Sequence, residues 1–212
     1  MVGLLFNIFN IMGSEWVLWV LIILSVSSIA VMIERYKTLT SKEALGALVL
    51  KEQVDSAMAQ GSLITLQAKR EEIESRYPCM ESALISALLS EKAPKDKKDL
   101  ELFMLSLISR RKAELEVRLG FLGTLGSNAP FIGLFGTVLG IIKAFHELGG
   151  GGAAAAGMQG MSHGLSEALV ATAVGLLVAI PAVLAFNTFQ GKIKSIVCRT
   201  ESIGHYIISH KE

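Results

Sequence analysis

Apolar and polar positions are segregated along this chain into three long apolar runs and one long polar insertion. The first run, WVLWVLIILSVSSIAVMI, covers residues 16–33 without a charge, with Trp16 and Trp19 at one end and Glu34, Arg35 and Lys37 at the other. A bilayer core about 30 Å thick is crossed by roughly 20 apolar helical residues. Aromatic residues at one end and a charged stop at the other are how such a helix is anchored. The pattern therefore predicts a transmembrane helix over 16–33, with two more over 121–145 and 164–187. Ser25, Ser27 and Ser28 in the first span are expected to bond to their own backbone.

Between the first two spans, residues 34–120 carry apolar positions at helical spacing, interrupted by Gly61, Pro78 and Pro94. This predicts a water-exposed helical domain. Ser41 is expected to cap its first helix and Asp96 or Asp99 its last. That last helix is expected to continue through FMLSLISRRKAELEVRLG into the second span as an unbroken stalk. Residues 1–15 place Leu5, Ile8, Phe9 and Met12 on one helical face, as an interfacial segment would. With no basic head and no small-residue cleavage pattern before Trp16, a signal peptide is not expected. Residues 146–163 are Gly- and Ala-rich and predict a flexible connector, and 188–212 are expected to form a C-terminal helix or tail. The predicted class is an all-α membrane protein with three transmembrane helices, a helical domain inserted between the first two, and long helical extensions of the spans.

Composition agrees: 51% of the 212 residues are hydrophobic and 18% charged, too apolar for an ordinary soluble domain. The net charge of +1 says less than its distribution. Of 20 Lys and Arg, 15 lie between the first two spans, four follow the third, and Lys143 alone remains. The positive-inside rule then predicts a cytoplasmic insertion and C-terminus, with the N-terminus and the 146–163 loop outside. Nothing suggests nucleic-acid binding. Cys79 and Cys198 are far apart, without metal-ligand spacing or a nearby histidine pair, so neither a metal nor another cofactor is expected. His146 and His163 flank the outer loop and are read as surface residues without a role.

Two features of the second and third spans bear on function. Gly133, Thr137, Gly140 and Ala144 recur at steps of four, three and four, as do Ala168, Thr172, Gly175 and Ala179. Gly136 and Gly140 add a GxxxG. Matching small faces predict close helix packing or a shared wall. Pro130 and Pro181 each remove a backbone donor and are expected to kink their helices. Glu167 is the only acidic residue inside an apolar run, and a charge there normally faces a bundle interior or a water path. Interfacial placement at the helix N-terminus is its bland reading. Thr137 and Thr172, taken alone, read as packing threonines. Glu167 and Thr172 are five residues apart, about 140° around a helix. No nucleophile–base pair or phosphate-binding glycine motif is present, which disfavours an enzyme.

The runs APFIGLFGTVLGIIKAF, from Ala129, and EALVATAVGLLVAIPAVLAFN, from Glu167, closely resemble the second and third membrane helices of the TolQ/ExbB/MotA proton-channel family, nearest its TolQ and ExbB branch. The resemblance implies an ion channel or stator subunit of an inner-membrane motor coupling the proton motive force to work on the envelope or to outer-membrane transport. It implies a homopentamer around a dimer of single-span TolR/ExbD-like helices in a central pore, and a TonB/TolA-like transducer beyond. Thr137 and Thr172 match the family's paired pore threonines, and Glu167 joins them as an ion-pathway carboxylate. Gly133, Gly136, Gly140, Ala168, Gly175 and Ala179 would form the packing face or pore wall. A non-conducting scaffold explains the small faces equally well but leaves Glu167 without a purpose.

Overall fold

The computed structural model describes residues 15–44, 79–149 and 154–210, together with 47, 50, 54–56 and 75. The interfacial segment expected before residue 15 and the breakers Gly61 and Pro78 lie outside the described residues. The helices are α1 (Glu15–Tyr36), continued by a π-helical stretch over Lys37–Ala44, α2 (Met80–Leu88), α3 (Lys97–Glu116), α4 (Leu119–Gly149) and α5 (Ala154–His210). No strand occurs among the described residues. Three stretches are long and apolar enough to cross a membrane: Glu15–Thr40, Leu119–His146 and Gly160–His210. The protein is thus an all-α membrane protein with three candidate spans.

Contacts divide the chain into two units, unit 1 (Met1–Met32 and Gly120–Phe186) and unit 2 (Ile33–Leu119 and Asn187–Glu212). Unit 1 contains the apolar helices. Its core gathers Val17 and Leu21 of α1, Leu125, Ala129 and Leu139 of α4, and Val178, Ala179 and Ala182 of α5. Outward lie Ile23, Val26, Phe131, Leu169, Leu177 and Leu184, all exposed, the surface that a hydrocarbon solvent accepts. Ser27 and Ser28 donate to Ile23 O and Ser25 O, both at 2.8 Å, so these hydroxyls are satisfied within their own helix.

Unit 2 is built differently. Leu39, Ile85, Leu88, Met104, Ile193 and Ile207 are buried in it. Asp96 caps α3, its carboxylate accepting from Lys98 N at 3.2 Å and Asp99 N at 3.4 Å. Cys79 and Ser82 cap α2, and Glu43 adds a cap from 37 residues upstream by accepting Met80 N at 2.9 Å. Burial pushes the Glu43 carboxyl above its ordinary range, against the lowering effect of that hydrogen bond.

Three expectations are corrected. Ser41 does not start a helix, because α1 passes directly into the π-helical stretch. The unbroken stalk is not formed: α3 stops at Glu116, and α4 begins at Leu119 after Arg118 takes a left-handed φ of 64°. A non-glycine residue in that conformation needs support from its surroundings. Here Glu34 accepts from both Arg35, at 2.8 Å, and Arg118, while Arg35 Nη1 reaches Leu115 O at 3.4 Å. Finally, the loop expected over 146–163 is helical where described, through Gly149 and again from Ala154. Its alanine run has the highest helix propensity available, enough to offset the scattered glycines.

Candidate functional site

The site lies in unit 1, where α4 and α5 run against each other along their small residues. A Cβ on Gly133 would come within 2.7 Å of Ala171 O and 3.0 Å of Thr172 Cα; one on Gly175 would come within 2.8 Å of Ala129 O. Gly140 faces Ala168, where the added atom would lie 2.6 Å from the alanine Cβ, and Gly136 faces Ala171 at 2.8 Å. Ala144 meets Gly164 one level further along. The helices are close enough for backbone to touch backbone, which explains why both faces hold Gly and Ala at the same spacing. Ala168 and Ala179 are buried beside them. Pro130 and Pro181 lie inside α4 and α5, where each leaves the carbonyl four residues earlier, Gly126 and Leu177, without its helical donor.

This approach brings Thr137 and Thr172 together. Their hydroxyl oxygens are 3.3 Å apart, and Thr137 Oγ1 also donates to Leu134 O at 2.6 Å. A hydroxyl has one proton. Since Thr137 spends its proton on the Leu134 carbonyl, Thr172 is the donor of the pair, and the lone pairs of Thr172 Oγ1 are left as acceptors. Thr137 is buried and Thr172 half-buried, so the acceptor end of the pair is the accessible one. Glu167 is half-buried on the same helix, five residues and about 7.5 Å along the axis before Thr172. The structure pairs the two threonines and sets Glu167 more than one turn away, level with the Ala168–Gly140 contact. Trp16 packs edge-on against Phe135 at 6.2 Å between ring centroids, closing the first span onto α4. His146 and His163 are exposed.

The stretch that holds this helix pair is also where the chain is similar to known proteins. Residues 71–202, more than half of the chain, match the MotA/TolQ/ExbB proton channel family. The chain belongs to that family. Within the MotA/TolQ/ExbB family it stands nearest the TolQ and ExbB branch. It is 45% identical over 92 residues to the Tol-Pal system protein TolQ of Pseudomonas aeruginosa, covering 43% of this chain and 39% of that protein. To the TolQ of Haemophilus influenzae it is 47% identical over 89 residues, 42% of this chain and 38% of the relative. To the biopolymer transport protein ExbB of Xanthomonas campestris pv. campestris it is 39% identical over 98 residues, 46% of this chain and 38% of the relative. The matched stretches thus span less than two-fifths of these relatives' own lengths. The MotA/TolQ/ExbB family is one of membrane transport and energy coupling rather than an enzyme class.

Sequence reasoning did not single out the polar groups of unit 2. Glu81 is 1% exposed, yet its Oε1 accepts Arg199 Nε at 2.6 Å from 118 residues away. Glu34 serves two arginines. The first has no local signal, because nothing in the spacing of Glu81 and Arg199 links them. The second was visible only as the charged stop after the first span.

Proposed function

We propose that this chain is the multi-span subunit of an inner-membrane complex that uses the proton motive force, and that Thr137, Thr172 and Glu167 belong to its ion pathway. The observation that carries the reading is the hydroxyl pair, 3.3 Å apart across two helices otherwise packed through glycine and alanine. In hydrocarbon a polar group must find a partner, and a pair whose outer oxygen retains free lone pairs suits a group that accepts a hydrogen bond from water or from a protonated acid. Glu167 supplies the ionisable group on the approach. The family membership and the TolQ and ExbB relatives support proton as the ion and a single-span TolR/ExbD-like dimer as the partner that brings the moving carboxyl into a central pore.

Five copies around that dimer would complete the assembly. The small faces do not argue for it, because α4 and α5 already use them on each other within one chain. The distribution of basic residues supports a cytoplasmic unit 2 and C-terminus, with the N-terminus outside. The energised process is work on the cell envelope or outer-membrane transport, delivered through a TonB/TolA-like transducer.

The test uses the chain co-expressed with its single-span partner. Glu167→Gln keeps the size but cannot ionise, whereas Glu167→Asp keeps the charge on a shorter arm. The proposal expects Gln to lower ion-driven activity more than Asp, at equal protein levels in the membrane. Equal activity of both variants with the unaltered chain would favour the scaffold alternative, in which Glu167 is an interfacial residue at a helix start.

A further inference from the structure

The break between α3 and α4 is not written into its own residues. Val117 has φ −50° and ψ 133° and Arg118 has φ 64°, the pattern of a type II turn, whose second central place ordinarily takes Gly or Asn. Arg118 carries the Cβ that makes this conformation unfavourable. The run LEVRLGFL over 115–122 contains no proline, and its one glycine, Gly120, lies inside α4. Leu, Glu and Arg are good helix formers, so local propensity favours a continuous helix. What holds the turn comes from the end of α1. Glu34 Oε1 accepts from Arg35 at 2.8 Å, and Glu34 Oε2 accepts from Arg118, 84 positions away. Arg35 Nη1 donates to Leu115 O at 3.4 Å, the carbonyl that would accept from Leu119 N in an unbroken helix.

Local propensity and the ion pairs therefore pull this junction toward two different structures, and neither pull is large. The side chains of Arg118 and Glu34 are 57% and 40% exposed, and an ion pair so open to water is weak. A left-handed non-glycine residue persists only where its surroundings impose it, and such residues gather at switches. We propose that Glu34, Arg35 and Arg118 form a latch with two positions. Closed, Glu34 holds Arg118 in the left-handed turn. Open, Val117 and Arg118 become helical, Leu119 N takes Leu115 O from Arg35, and α3 and α4 join as one helix. The open form is the unbroken helix that the sequence pattern itself predicts. Since α4 carries Thr137, the latch decides whether a displacement of α3 is passed rigidly into the helix of the hydroxyl pair. It is built from residues 34–119 alone and does not depend on the ion-pathway reading.

Solid-state NMR of the full-length chain in lipid bilayers reads the latch directly. Val117–Arg118 is the only Val–Arg step in the sequence, so carbonyl-labelled valine with uniformly labelled arginine isolates Arg118 in a carbonyl–nitrogen–Cα correlation. The relative orientation of its N–H and Cα–H bonds then gives φ. The unaltered chain at low salt is expected to show the positive value. Glu34→Gln keeps the size but removes the charge, and should move Arg118 to a negative, helical φ with loss of the left-handed signal. Arg118→Gln breaks the same pair from the other side and, read through a Val–Gln step that occurs nowhere else in the chain, should do the same. Arg111→Gln removes an exposed arginine paired with Glu114 on α3 and should leave Arg118 left-handed. A positive φ kept in either folded latch variant, or lost in Arg111→Gln, would overturn the latch. If neither latch variant folds, the unaltered chain decides. Raising the salt to about 1 M, where the screening length falls to about 3 Å, should bring up a second, helical Arg118 signal, and an unchanged spectrum would overturn the proposal equally.

Discussion

The two units of this chain solve the packing problem in opposite ways. In unit 1 the contact between α4 and α5 is made by residues with almost no side chain, and Gly133 and Gly175 sit where even a methyl group would meet backbone atoms at under 3 Å. In unit 2 the interior is filled by Leu, Ile and Met, with the buried Glu81 paired to Arg199 and Asp96 capping α3. The difference is what the proposed setting, lipid around unit 1 and water around unit 2, would require. Helices in lipid gain nothing by hiding leucine from an equally apolar medium, so they associate through close van der Waals contact and shared hydrogen bonds. Helices in water are driven together by the apolar area that they bury, about 25 cal/mol per Å². Glycine is structural where the backbones meet, as at Gly133 and Gly175, and a conformational liability at an open helical position such as Gly191.

One substitution made in both units breaks this contrast most sharply. Gly133→Ala places a methyl against Ala171 O and Thr172 Cα and must push α4 away from α5. Gly191→Ala, in unit 2, meets nothing within 4 Å. We expect the first to remove most folded protein from the membrane, and the second to stabilise by up to about 1 kcal/mol through helix propensity. Thermal melts of the solubilised protein, followed by size-exclusion chromatography, read both signs. Leu88→Ala probes the other kind of packing. Leu88 is fully buried, so its truncation should cost about 2–5 kcal/mol in chemical denaturation of unit 2.

A smaller effect is expected from pH, and its sign is informative. Burial raises the Glu43 carboxyl above the ordinary 4.5, so folding takes up a proton at this site. Its contribution to stability is therefore fully present below the ordinary value and is lost as pH rises through the raised one. The melting temperature should fall over that window, and Glu43→Gln should flatten this part of the profile. An unchanged slope in the variant would remove Glu43 from the account.

What the sequence showed followed from periodicity and spacing. The three spans were legible because about 20 apolar residues have few alternatives to a membrane helix, and the four-three-four repeat of small residues marked the faces now seen in contact. The four-three-four faces put Thr137 and Thr172 on surfaces expected to pack together, but a shared role for the two hydroxyls was legible only through family resemblance. The break at Arg118 was invisible because Val117 and Arg118 fit a continuing helical pattern, and the left-handed turn depends on Glu34, which is remote in sequence. The helix from Ala154 was hidden by the neighbouring glycines, whose loop signal outweighed the alanine propensity.

The central claim is that the hydroxyl pair carries function rather than only packing. Its most direct test is proton flux into liposomes containing the chain with its single-span partner, measured for Thr137→Val, Thr172→Val and the double variant. Valine replaces each hydroxyl by a methyl of similar size, so assembly should be retained. The account predicts that each single variant lowers flux and that the double is little worse than Thr172→Val alone, because the two groups act through one hydrogen-bonded unit. Full flux in the assembled double variant would contradict it.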